Sequence, residues 1–213
     1  MNEETEENGQ VEVQTIGAKL PRLEKAVIVA GHPRSGTSLM CQLIDSDPKI
    51  EFITDSPGNP NNPGGYYEHE KLSELSGAWV RTEQNDWRVK KAHSVLTDLD
   101  SRKGIPGFKL VNVPSFYYWR NLIEEITLVG IFRKPIESVK SNWQQRLHAF
   151  MFDWPNNNNS LIGAVEDAET SALVHYKRLL QEPRRVADLL ESYDLDIDPG
   201  IVDKDLHTIR ETN

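Results

Sequence analysis

The sequence predicts an α/β fold of three layers, a mainly parallel sheet flanked by helices. Three observations predict it. Residues 26–30 are a short apolar run, followed by a glycine-bounded loop and then by Leu39, Met40, Leu43 and Ile44 at helical spacing. Residues 126–132 are almost continuously apolar, the pattern of a strand buried on both faces of a parallel sheet. Strand-like and helix-like segments then alternate along the chain instead of clustering by type.

The elements follow in order. Residues 1–22 carry Glu3, Glu4, Glu6, Glu7 and Glu12 with little apolar content and are expected to be a disordered acidic tail. Residues 23–213 are expected to form a single domain, since a chain of 213 residues builds one proper core more readily than two. The first strand is expected at 26–30. The helix after the loop is expected to run to Ser46, where Asp47-Pro48 stops it, because proline disfavours helical geometry in the residue before it. Residues 50–54 read as a second strand. Residues 55–65 are eleven positions made almost wholly of turn formers, a length typical of functional loops or disordered connections. They lead into a helix through Leu72, Leu75 and Trp79. A short helix is expected at 94–99, a strand at 108–113 broken by Pro114, and an aromatic helix carrying Phe116, Trp119 and Ile123. After the strand at 126–132 a helix starts near Pro135. Residues 154–159 read as a polar break, 161–182 as one long helix, and Pro183 as the start of another.

Composition narrows the function. The formal net charge of −9 argues against broad nucleic-acid binding, so an anionic ligand needs a local positive pocket set against the global field. The single cysteine, Cys41, lies among apolar helix positions and reads as a buried small hydrophobe. No apolar run approaches the roughly 20 residues that span a bilayer, and no signal peptide opens the chain. A soluble cytoplasmic protein is expected, with neither nucleic acid nor membrane as partner.

The chemistry concentrates in Gly31-His32-Pro33-Arg34-Ser35-Gly36-Thr37-Ser38. Backbone N–H groups of such a strand–loop–helix unit, backed by the positive helix end, cradle phosphate or sulfate. The glycines and Ser38 fit the Walker A pattern, so the expected fold is P-loop-like, but Thr37 stands where the lysine belongs. That lysine contacts the β- and γ-phosphates, so its absence argues against ATP or GTP hydrolysis. The cation sits inside the loop instead, at Arg34.

A second basic residue follows the most apolar strand, where a P-loop NTPase usually places a magnesium-binding aspartate. Here it is Arg133, at the sheet edge where open α/β folds bind ligands, with a donor fork suited to a phosphate monoester. Ser141, eight residues on, stands about two helical turns into the next helix. Taken alone, Arg133 reads better as a surface residue paired with Glu137, and Ser141 as an ordinary helix serine. With the Arg34 loop, it suggests a nucleotide phosphorylated at both ends of its ribose.

Residues 33–39 resemble the loop of sulfotransferases that use 3′-phosphoadenosine-5′-phosphosulfate (PAPS), in which cytosolic members carry lysine at the position of Arg34 and tyrosylprotein and many bacterial members carry arginine. Arg133 and Ser141 are similar to that family's 3′-phosphate pair, at the same separation of eight. Residues 62–68 are similar to the Asn-Pro-Lys-Gly-aromatic-aromatic-Glu segment of bacterial sulfotransferase-like proteins. The resemblance covers about residues 26–145 and only loosely the helices beyond.

The resemblance implies that Ser35, Gly36, Thr37, Ser38 and Leu39 hold the 5′-phosphate through their amides and hydroxyls. It implies that Arg34 stabilises charge on the departing phosphate oxygen, with no metal required. The acceptor's proton needs a base. The histidine that serves in cytosolic members is absent, because residues 111–114 stand in its place. Asp55 is one candidate, by counting from the loop arginine as in tyrosylprotein sulfotransferases, and Glu68 is the other. Asp55 could instead cap a turn, and Glu68 could simply open a helix. His69 and His93 are weaker candidates. Trp143, Tyr66 and Tyr67 are candidates for stacking on adenine, and residues 55–66 and 145–160 for the acceptor pocket. Two other readings stay open: a module that binds PAPS or its product 3′-phosphoadenosine-5′-phosphate (PAP) without catalysis, and an atypical P-loop kinase or NTPase.

Overall fold

The computed structural model describes residues 22–54, 67–79, 86–142 and 147–202. Five strands lie in one sheet in the order β2-β3-β1-β4-β5, and every pairing is parallel. The strands are β1 (Leu23–Ala30), β2 (Ile50–Phe52), β3 (Ile105–Leu110), β4 (Ile123–Phe132) and β5 (Thr170–His175). The helices are α1 (Thr37–Ile44), α2 (Glu70–Trp79), α3 (Asp86–Asp100), α4 (Phe116–Arg120), α5 (Pro135–Asn142), α6 (Leu147–Asp167), α7 (Tyr176–Gln181) and α8 (Pro183–Glu191). Short 3-10 turns occupy Val113–Ser115 and Pro199–Ile201.

Strand alternation builds the three layers. Ala26, Ile28 and Ala30 point to one face, with Leu75, Leu96, Phe108, Trp119 and Leu161. Val27 and Val29 point to the other, with Leu39, Met40, Leu43, Leu179 and Leu190. The sheet is therefore buried on both sides, which is why β1 and β4 read as continuous apolar runs. Chain order reverses around β1, whose neighbours are β3 and β4. That makes the carboxyl ends of β3, β1 and β4 the crevice where open α/β sheets take ligands. Among the described residues, no helix is long and apolar enough to cross a membrane.

Two sequence expectations are corrected. The long helix expected at 161–182 is three elements, because α6 ends at Asp167 and residues 170–175 pair with β4 as the edge strand β5. Ala172 and Val174 turn inward from β5 while Leu173 lies outward, too few apolar residues for the alternation to outweigh the helical spacing around them. The break expected at 154–159 lies inside α6, with Pro155 in its middle. The asparagines there serve the helix and its neighbours rather than a turn. Asn158 Nδ2 donates to the Trp154 carbonyl at 2.8 Å, and Asn157 Oδ1 accepts from the Val113 amide at 3.1 Å. Smaller shifts affect boundaries: α1 stops at Ile44, β3 runs over 105–110, and the helix expected at 94–99 belongs to the longer α3.

Candidate functional site

The loop between β1 and α1 is bent by two left-handed residues, Arg34 (φ 70°) and Gly36 (φ 101°), with Ser35 between them. Alternating backbone hand of this kind turns successive N–H groups toward one concavity. Crowding explains the glycines. A Cβ at Gly31 would lie 2.4 Å from the Ile131 carbonyl oxygen, and one at Gly36 would lie 2.2 Å from Cδ2 of Tyr176. The N-terminus of α1 has no side-chain cap and no acidic residue in its first turn, so its dipole stays available to an anion. Ser35 Oγ is buried and has no hydrogen-bond partner among the described residues. A hydroxyl in that state fits a loop built to close on a ligand. Thr37 is buried too, whereas Leu39 is a core residue, so only its backbone faces the loop's chemistry.

Arg133 follows β4 directly and is 8% exposed. Its guanidinium lies 4.6 Å from the Tyr176 ring centroid, and its Nε lies 3.8 Å from Glu137 Oε2. Tyr176 opens α7, one residue beyond β5, and its ring is the same one that crowds Gly36. One aromatic side chain thus touches both the anion loop and Arg133. The two basic elements expected from sequence converge on the same sheet edge. A guanidinium carbon over an aromatic ring at that distance makes a cation–π contact worth about 0.5–2 kcal/mol.

A third cation was not foreseen. Lys109 pairs in register with Val29 of β1, and while Phe108 and Leu110 enter the opposite core, it faces α1. Its side chain is 3% exposed, with Nζ 3.4 Å from Ser38 Oγ and 2.9 Å from Glu68 Oε1. A buried ammonium requires such partners. The link runs Ser38–Lys109–Glu68, so Glu68 stands at the loop's mouth. The sequence signal was available: a lysine alternating with Phe108 and Leu110 on a buried strand has no core role. Tyr176 was read as one apolar position of a long helix, and nothing in its spacing marked it.

The remaining candidates divide. Ser141 falls on α5, its side chain outside the described residues, and Asp55, Tyr66 and Trp143 lie outside them altogether. Tyr67 is buried and bonded to Asp45. His69 Nδ1 is buried without a hydrogen-bond partner among the described residues, and His93 contacts Thr97 on α3. Burial pushes the Cys41 thiol well above its usual range against the opposing pull of Lys109, so it behaves as core. Among the described residues, no three His, Cys, Asp or Glu side chains gather as a metal site.

No family model and no curated protein matches the chain. Solved structures do. The sulfotransferase domain of the Synechococcus PCC 7002 olefin synthase superposes with a TM-score of 0.55 at 12% identity, over 86% of this chain and 78% of that one. Sulfotransferase STF1 from Mycobacterium tuberculosis H37Rv gives 0.57 at 15% identity, over 90% and 71%. STF9 from Mycobacterium avium gives 0.56 at 13% identity, over 79% of this chain and 64% of that one. This chain has the sulfotransferase fold. At these identities the likeness concerns the fold, and any function for the site depends on its own residues.

Proposed function

We propose that the protein is a PAPS-dependent sulfotransferase acting on a hydroxyl or amine acceptor. The observation that carries this reading is the convergence of the Arg34 loop and Arg133 on Tyr176, which sets two anion-binding elements on one edge of the sheet. PAPS fits such a pair because it carries phosphate at both ends of its ribose and supplies an activated sulfuryl group. The amides of residues 35–39 and the hydroxyls of Ser35, Thr37 and Ser38 would hold the 5′-phosphate, while Arg133 and Ser141 would hold the 3′-phosphate.

The chain's own residues then have separable tasks. Arg34 is always charged, so it stabilises developing negative charge and donates no proton. Lys109, buried beside Ser38, adds a second fixed charge whose solvation no longer has to rearrange. Glu68 is the favoured base, since its carboxylate reaches the loop's mouth through Lys109. Taking the acceptor's proton requires that carboxylate to leave the ammonium.

Thermal stabilisation by PAP should clearly exceed that by 5′-AMP, and Arg133→Ala should remove most of the difference. Equal stabilisation by the two nucleotides would overturn the reading. The commitment of Glu68 to Lys109 favours one alternative, a module that binds the nucleotide without catalysis. Tight PAP binding with no PAPS turnover on any acceptor would select it, and magnesium-dependent stabilisation by ATP would point to a kinase or NTPase instead.

A further inference from the structure

Three non-glycine residues among those described have positive φ: Arg34 in the anion loop, Asp194 after α8, and Tyr67 at 52°. A bulky residue in the left-handed region is strained and persists only where its surroundings over-determine it. Those of Tyr67 do. It is 8% exposed, and its ring stands edge-on to Phe52, with centroids 5.5 Å apart and planes at 86°. Its hydroxyl donates to Asp45 Oδ2 at 3.0 Å, while Asp45 Oδ1 accepts from the Phe52 amide at 3.3 Å. Tyr67 therefore ties the end of α1 to the end of β2.

What this fixes is the next residue. The Glu68 carbonyl accepts from Thr54 Oγ1 at 3.5 Å, and its carboxylate meets Lys109 at 2.9 Å. Thr54 and Tyr67 thus hold Glu68 through its carbonyl and through the residue before it. A purely packing role would be filled by phenylalanine, which has the same ring. The hydroxyl is instead spent on a carboxylate. Burial, reinforced by the Asp45 charge and bond, pushes its pKa up and keeps it a neutral donor.

We propose that Tyr67 is a positioning residue, whose left-handed backbone and hydroxyl bond to Asp45 hold the Glu68 carboxylate against Lys109 at the mouth of the anion loop. This rests on the sulfotransferase reading for its consequence: the proposed base, and its pairing with the Lys109 ammonium beside Ser38, are set by one buried phenol. The charged group bonded to that carboxylate is Lys109 from β3, and the one bonded to the phenol is Asp45, just after α1.

The test is a double-mutant cycle on PAP affinity, measured by calorimetry on the full chain. Glu68→Gln removes a negative charge beside Lys109 and should tighten PAP binding by about three- to tenfold. Tyr67→Phe should tighten it by about twofold or more, by releasing the same carboxylate, and should add nothing in the Glu68→Gln background. A packing role predicts a lower melting temperature with PAP affinity unchanged in both backgrounds, and that result overturns the proposal. A crystal structure of Tyr67→Phe in which Glu68 stays within hydrogen-bond reach of Lys109 also overturns it, whatever the nucleotides do. The parent's preference for PAP over 5′-AMP is scored separately, so failure of the enzyme reading and failure of this one leave different signatures.

Discussion

Replacing Gly36 with alanine tests how the two elements proposed to bind anions are joined. The new Cβ would lie 2.2 Å from Cδ2 and 2.6 Å from Cε2 of Tyr176, so the ring has to move. The backbone at 36 is left-handed, with φ 101°, which costs an L-residue about 1–2 kcal/mol. Forcing atoms into a filled site costs about 1–3 kcal/mol more. Together these give about 2–5 kcal/mol, or a fall in melting temperature of roughly 4–20 °C for a chain of this size. The two contributions can be separated. In a Tyr176→Leu background the ring edge is gone and only the backbone cost of about 1–2 kcal/mol remains. Urea unfolding of the parent, both single variants and the double variant measures the coupling directly. Displacing the ring also disturbs its contact with Arg133, so Gly36→Ala should lower PAP affinity more than affinity for 5′-AMP. An equal stability cost in both backgrounds would show that Tyr176 does not pack on the loop, and the convergence argument would fail with it.

Three further outcomes are expected. Lys109→Met keeps the stem and removes the charge; because Glu68 is half exposed, stability should change by less than about 1 kcal/mol, while PAP affinity measured by calorimetry falls about 10- to 100-fold. Asp47 is fully buried and accepts from the Lys49 amide at 2.9 Å and the Asp196 amide at 2.8 Å, so it clamps the segment after α8 to the turn after α1. Asp47→Ala should cost about 2–4 kcal/mol in urea unfolding without altering the ratio of PAP to 5′-AMP affinity. Burial raises the pKa of Tyr67, Tyr118 and Cys41. The unfolded chain therefore ionises first, and the stability these groups contribute should be full below their ordinary pKa values and decline as pH rises through about 9 to 11. Urea midpoints across that range measure the decline, and the native Cys41 thiol should not react with a thiol reagent at neutral pH.

The parts of the fold legible in the sequence were those where one signal acted alone. The β1–loop–α1 unit was readable because its glycines, apolar strand and helical spacing agreed, and β4 because an unbroken apolar run suits a strand covered on both faces. β5 was hidden because an edge strand needs only Ala172 and Val174 inward, and helical spacing on either side masked them. Pro155 and its asparagines imitated a loop because composition cannot show side chains bonding across to another element, as Asn157 does to Val113. Of the proposed site residues, Arg34 and Arg133 stand out in the sequence by their position in a motif. Lys109 and Tyr176 act through contacts between strands far apart in sequence, and only register and topology bring them in.

The missing Walker lysine acquires a physical reading once the register is known. In the Walker arrangement one lysine on the loop supplies the charge. Here Thr37 is buried, and the cations come from the loop itself and from the ends of the two strands flanking β1. Reversal of chain order at β1 is what puts those ends together, so the topology supplies the charge cluster that the loop sequence lacks. The arrangement also answers the unfavourable global field. With a net charge of −9, long-range attraction of an anion is not on offer. Beyond roughly 8–10 Å that field is screened at physiological salt, whereas cations held in a low-dielectric crevice are screened far less. Lys109, at 3% side-chain exposure, and Arg133, at 8% exposure, are in that second class, so on the proposed reading the anion is recognised only once it has entered the crevice.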